Sequence, residues 1–147
     1  MDESSTKIIF KFTGENPNDQ WTETIHAKHL GEDEYEIENS PFHVYGVSYG
    51  DKVKVEGTFN QLPLFKEVVE KSGNSTYRLI VLNEITNPLF TQFWQPLADK
   101  GCTYENANTK LISVNIPAKT NIDEVYKLFE NGEKFGLWDF EEADFGH

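Results

Sequence analysis

Cysteine, arginine and long apolar runs are what this 147-residue chain has least of, and each scarcity removes a class of protein. One cysteine, Cys102, rules out an internal disulfide framework, so the fold must rest on its core, as in a reducing compartment. The opening MDESSTKIIFKF lacks the basic segment and apolar run of a secretory signal, and no later run approaches a membrane span; a soluble cytoplasmic protein is expected. The acceptor-like Asn74-Ser75-Thr76 then carries no glycan. Arg78 is the sole arginine, and 13 Lys plus Arg face 25 Asp plus Glu. A formal charge of −12 opposes the counterion release that drives phosphate-backbone binding, which excludes nucleic acid as a partner. The same field steers a basic protein partner inward, or simply keeps the protein soluble.

Catalytic strings are missing too. There is no HExxH, CxxC, GxxxxGK[ST] or GxGxxG, so no metal, phosphate-loop or dinucleotide cofactor is expected. His26 and His29 stand three apart on a predicted strand, which sends them to opposite faces. Gly46-Val47-Ser48-Tyr49-Gly50 matches the letters of a nucleophile elbow, but an alternating strand follows Asp51 where the elbow needs a helix. No catalytic residue is assigned, and the protein is not expected to be an enzyme.

What is present is pattern. Ile8, Phe10 and Phe12 alternate with polar residues in a strand that follows a frayed polar stretch 1–6; a turn at 14–19 leads to a second extended run over Trp21 to Leu30. Gly31 to Glu34 turns the chain into a short Tyr35/Ile37 strand. Val53 and Val55 alternate with Lys52, Lys54 and Glu56, and adjacent Val68 and Val69 favour a bulged strand over a helix across Leu64 to Lys71. Residues 7–72 thus form an antiparallel β unit, a small half-open barrel. The stretch Tyr77 to Leu82 is apolar on both faces and reads as a central strand covered on two sides. Asn87-Pro88 opens a helix that Pro96 kinks or ends early, with Gly101 as its stop. Strands follow over 102–106 and 110–116. Asn121 with Glu124 opens a second helix ending at Gly132, and 135–140 is the last strand. Strand, helix, strand, strand, helix, strand is the split βαβ order of ferredoxin-like units, here 75–141. The predicted class is α+β, one compact domain over 1–147 whose two units share a core.

Two acidic surfaces are candidate partner-binding sites: the hairpin of Glu32, Asp33, Glu34 and Glu36, and the closing segment with Asp139, Glu141 and Glu142, whose aromatics pin it down or await a partner. Tyr45 and Tyr49, in the aromatic and glycine-rich stretch 40–51, line a groove or pack internally. Arg78 holds an anion or pairs with one of the many carboxylates.

The run SPFHVYGVSYGDKVKVEG, with Pro41-Phe42 and Tyr45 to Asp51, followed by LPLFKEVVEKSGNSTYRLIV, with Ser72 to Thr76 and Arg78, resembles a bacterial family catalogued as domain of unknown function 4265 over Glu23 to Val81. The resemblance implies a bacterial origin and no activity. Small acidic bacterial proteins without catalytic motifs invite, by analogy, the expectation of an immunity or antitoxin-type inhibitor of a basic toxin domain such as a nuclease; the alternatives are a small-ligand sensor or regulatory domain of ferredoxin-like type, or an uncharacterised enzyme with Arg78 holding an anion.

Overall fold

The structure is a computed structural model that describes residues 5–13, 16, 18 and 20–147. Four of the six residues of the predicted 14–19 turn, and the first four residues of the chain, lie outside those described. The α+β class is as expected: the described residues form two sheets, of five and four strands, and two helices.

Alternating β-branched and aromatic residues build the first sheet from β1 (Ser5–Thr13), β2 (Gln20–Gly31), β3 (Glu34–Ile37), β4 (Lys52–Phe59) and β5 (Leu62–Glu70). Consecutive strands pair antiparallel, and a parallel pair between Ile9 and Leu64 brings the last to the first, so the expected half-open barrel is closed. The β4–β5 turn has only Asn60 and Gln61 between paired Phe59 and Leu62, both at positive φ, as tight hairpins demand. Register shifts along β4 and β5 bear out the bulged strand. Ile8, Phe10, Ile25, Ala27, Ile37 and Val53 fill the interior.

The second sheet comprises β6 (Ser75–Val81), β7 (Thr103–Asn106), β8 (Leu111–Ile116) and β9 (Trp138–Asp144), in the order β7-β8-β6-β9. Between them run α1 (Pro88–Asp99) and α2 (Ile122–Phe135). Asn87 caps α1 by accepting from Leu89 N, and Asn121 caps α2 by accepting from Asp123 N and Glu124 N. Pro96 does not end α1, which continues to Asp99. Gly132 does not end α2 either. It is buried inside the helix because Trp138 packs where its side chain would be, and Gly136 at φ +83° supplies the C-cap, so β9 starts at Trp138. Leu79, Val81, Ile112, Val114, Trp138, Phe90, Leu97 and Phe129 form a core between one sheet face and the helices.

Two expectations fall short at the opposite face. β6 is covered on both sides from Ser75 to Leu79 but not beyond: Ile80 and, just past the strand, Leu82 are 53% and 49% exposed. Nor do the two units share an apolar core, since their buried apolar residues form separate clusters. What joins them is polar. No described helix is long and apolar enough to cross a membrane.

Candidate functional site

The chain between β3 and β4, residues 38–51, has no strand or helix of its own, so its backbone groups need partners from elsewhere. Carboxylates supply them. Glu23 on β2 accepts from the backbone N–H of Phe42, His43 and Val44 at 2.7–3.0 Å. Glu105 on β7 accepts from Asn39 Nδ2 at 2.8 Å and Ser40 N at 2.6 Å, while Ser113 Oγ on β8 donates to Pro41 O at 2.7 Å. The segment is therefore clamped between barrel and sheet.

Arg78 is the centre of the clamp. Its strand carries it to the sheet face opposite the helices, in one cross-strand row with Glu141 and Ser113. Only 2% of it is exposed. Nε donates to Glu141 Oε1 at 3.1 Å and Nη1 donates to Val44 O at 3.0 Å and Pro41 O at 3.3 Å. The Tyr45 ring stacks 4.5 Å from the guanidinium carbon, and its hydroxyl donates to Glu141 at 2.9 Å. Both open readings of Arg78 meet here: it does pair with a carboxylate, yet Nη2 is buried with no acceptor among the described residues. A buried donor left unpaired costs about 1–3 kcal/mol.

A second polar knot lies beside it. Asp51, wholly buried, accepts from Ser48 N at 2.9 Å, Ser72 N at 2.8 Å and Lys71 Nζ at 2.7 Å. Lys71 also donates to Asp144 at the end of β9, and Ser48 Oγ bonds Asp144 Oδ2 at 2.7 Å and Thr76 Oγ1 at 2.6 Å. Burial alone would lower the Lys71 pKa, but the hydrogen bonds and charges of Asp144 and Asp51 outweigh it and hold the ammonium above its ordinary value. Ser48 is itself fully buried and is followed by β4, as its strand context predicted. The closing segment is pinned rather than free: Gly146 N donates to Ser75 Oγ, and the His147 ring contacts Ser75 Oγ and Pro117 O.

Two grooves flank this joint. One, of about 450 Å³, lies over the open part of the sheet and is lined by Phe42, His43, Arg78, Ile80, Leu111, Asp139 and Glu141 among others. The other, about 460 Å³, includes Glu38, Tyr49, Tyr104, Glu105 and Asn115. Of the predicted residues, Tyr45 and Glu141 come together at Arg78, and Asp139 lines the same groove. Tyr49 lies on the second groove, its carbonyl accepting from Ser72 Oγ and Asn74 Nδ2. Glu142 accepts from the Tyr77 hydroxyl, whose pKa burial and that carboxylate push up. Glu32, Asp33, Glu34 and Glu36 sit apart, on the β2–β3 hairpin at the barrel, where Asp33 pairs with Lys54 at 3.7 Å. Sequence reasoning missed Glu23, Lys71 and Glu105. Their signal was indirect: a 14-residue connection without secondary structure needs outside partners, but which carboxylates reach it depends on packing. Among the described residues no group of three or more His, Cys, Asp or Glu side chains is placed to hold a metal ion.

No curated protein matches the chain. Its fold is similar to a solved structure described as a novel crystal structure of a hypothetical protein from Neisseria gonorrhoeae, with a TM-score of 0.82 and 17% identity over 97% of this chain and 96% of that one. At that identity the likeness shows the fold alone. A family model, Domain of unknown function (DUF4265), matches residues 23–140. The chain belongs to that family, and the match takes in β7, β8, both helices and the start of β9, beyond the stretch whose letters carried the resemblance.

Proposed function

We propose that this member of the DUF4265 family is a non-enzymatic, cytoplasmic binding protein of immunity type, which neutralises a basic bacterial toxin domain through its acidic surface. The observation that carries the reading is the β2–β3 hairpin: Glu32 and Glu34 are exposed and have no ion pair among the described residues, in a chain of charge −12. Fixed geometry there favours fast capture, since Tyr35 is buried, His29 Nε2 bonds Glu32 O at 2.8 Å, and Val55 N donates to Asp33 O at 2.9 Å. We read the scaffold as one compact domain in which the barrel packs on a ferredoxin-like split βαβ unit; the strand order β7-β8-β6-β9 supports that reading.

The test is co-expression with the product of the adjacent reading frame in the source genome. Protection of growth together with a salt-sensitive complex is expected. The absence of both protection and a complex at micromolar concentration would sink the reading. A small-ligand role is favoured by one separate observation, the groove lined by Arg78, whose buried Nη2 has no acceptor among the described residues.

A further inference from the structure

The groove on the open sheet face carries three kinds of group at fixed mutual positions. Arg78, Glu141 and Ser113 form one row across the strands, and Asp139, Ile80 and Leu111 form the next. Arg78 therefore lies at one end of the groove floor, Ile80 two residues along at its centre, the carboxylates of Asp139 and Glu141 along the β9 side, and Leu111 on the β8 side, with Phe42 from the crossing segment joining the lining. Strand geometry sets the scale: about 6.6 Å separates residues i and i+2, and about 4.8 Å separates neighbouring strands.

We propose that this groove binds a free apolar α-amino acid. Its carboxylate lies at the Arg78 end of the groove, against the guanidinium whose buried Nη2 has no acceptor among the described residues. Its ammonium lies toward β9, between Asp139, which is exposed and makes no hydrogen bond or ion pair among the described residues, and the half-exposed side chain of Glu141. Its side chain covers Ile80 and runs toward Leu111 and Phe42, removing the exposed apolar surface of Ile80 from water. The three substituents of the α-carbon diverge as these three sets do. One cationic donor and two carboxylates fit a zwitterion better than an ion of either sign, because a lone anion meets Asp139 and Glu141 and a lone cation meets Arg78. The volume, about 450 Å³, falls in the range of small-ligand sites. The site is separate from the hairpin that carries the proposed partner surface, and the inference does not rest on that surface.

Calorimetric titration of the full-length protein with leucine and with phenylalanine tests it. Saturable binding is expected for at least one of them, weakened about tenfold or more for leucine amide, which lacks the carboxylate, and for 4-methylpentanoate, which lacks the ammonium. Asp139→Asn and Ile80→Gln change exposed side chains, so both variants fold, and each is expected to bind leucine about tenfold more weakly. A Glu32→Lys/Glu34→Lys variant is expected to bind leucine as the wild type does while losing the salt-sensitive partner complex, which separates failure here from failure of the inhibitor reading. Absence of saturable binding by any apolar amino acid up to about 10 mM, or binding of either truncated analogue as tight as that of leucine, overturns the proposal.

Discussion

Replacing Asp51 by Ala removes the acceptor on which the knot beside Arg78 is built. Three donors lose their partner: Ser48 N, Ser72 N and Lys71 Nζ. Hydrogen bonds to a charged group contribute about 1.5–3 kcal/mol each, without simple additivity, and a buried donor left unpaired costs about 1–3 kcal/mol. Lys71 is 39% exposed and regains water, so its share is held to about 1 kcal/mol or less. Ser48 N is sealed and regains nothing. The expected loss is about 3–4 kcal/mol, or a fall in melting temperature of roughly 6–15 °C for a chain of this length. Lys71→Met should cost only about 1 kcal/mol, since both carboxylates keep other donors. Urea unfolding followed by far-UV circular dichroism measures both. The pH dependence supplies a second arm. A lysine whose folded pKa is raised stabilises fully below its unfolded value of 10.5 and loses that contribution as pH rises through the folded value. The stability difference between wild type and Lys71→Met should therefore be flat to about pH 10 and shrink above it. A loss under about 1 kcal/mol for Asp51→Ala, equal losses for the two variants, or a difference that shrinks already below pH 9 would refute the account.

Three more outcomes are checkable. Gly132→Ala places a Cβ 2.2 Å from the Trp138 ring, so it should destabilise by about 2–3 kcal/mol or more in thermal unfolding, where a surface glycine in a helix would gain from the same change. Burial pushes the Cys102 thiol up to about 11, slightly offset by Lys100, so iodoacetamide at pH 8 should alkylate it only in unfolded protein; labelling of the native state within minutes would contradict the packing. The Glu32→Lys/Glu34→Lys variant should slow association with a basic partner about tenfold or more at low salt while changing stability by less than about 0.5 kcal/mol; an unchanged on-rate would remove the hairpin from the interface.

Element identity was legible where local chemistry decides it. Asn87-Pro88 and Asn121 mark helix starts because their side chains meet backbone donors two or three residues on, and alternation at Val53 and Val55 marks a strand because one side of a barrel wall is wet. The errors lie where a distant residue decides. Gly132 reads as a stop, yet Trp138 six residues later needs the space above it, and the stop moves to Gly136. The run Tyr77 to Leu82, apolar apart from Arg78, reads as doubly covered, but only contacts from 38–51 determine how much of the second face is closed, and they stop short of Ile80. At the site, Arg78 was visible because it stands alone in composition, and Tyr45 because aromatics and glycines cluster around it. Glu23 and Glu105 were not, because one carboxylate among 25 acidic residues has no local mark of its task.

That last point changes how the charge is to be understood. Net charge counts every carboxylate alike, but a steering field acts through those that face solvent unpaired. Glu23, Asp51, Glu105 and Asp144 are bonded to backbone, hydroxyl or ammonium groups inside the joint, and Glu141 is shared between Arg78 and Tyr45. Reversing any of these would disturb the clamp on 38–51 as well as the surface field, so a binding defect in such a variant would not distinguish the two causes. Glu32, Glu34 and Asp139 lack such bonds among the described residues. Substitutions there report on ligand and partner alone, and that is why the hairpin pair and Asp139 are the positions at which the two proposed activities can be lost one at a time.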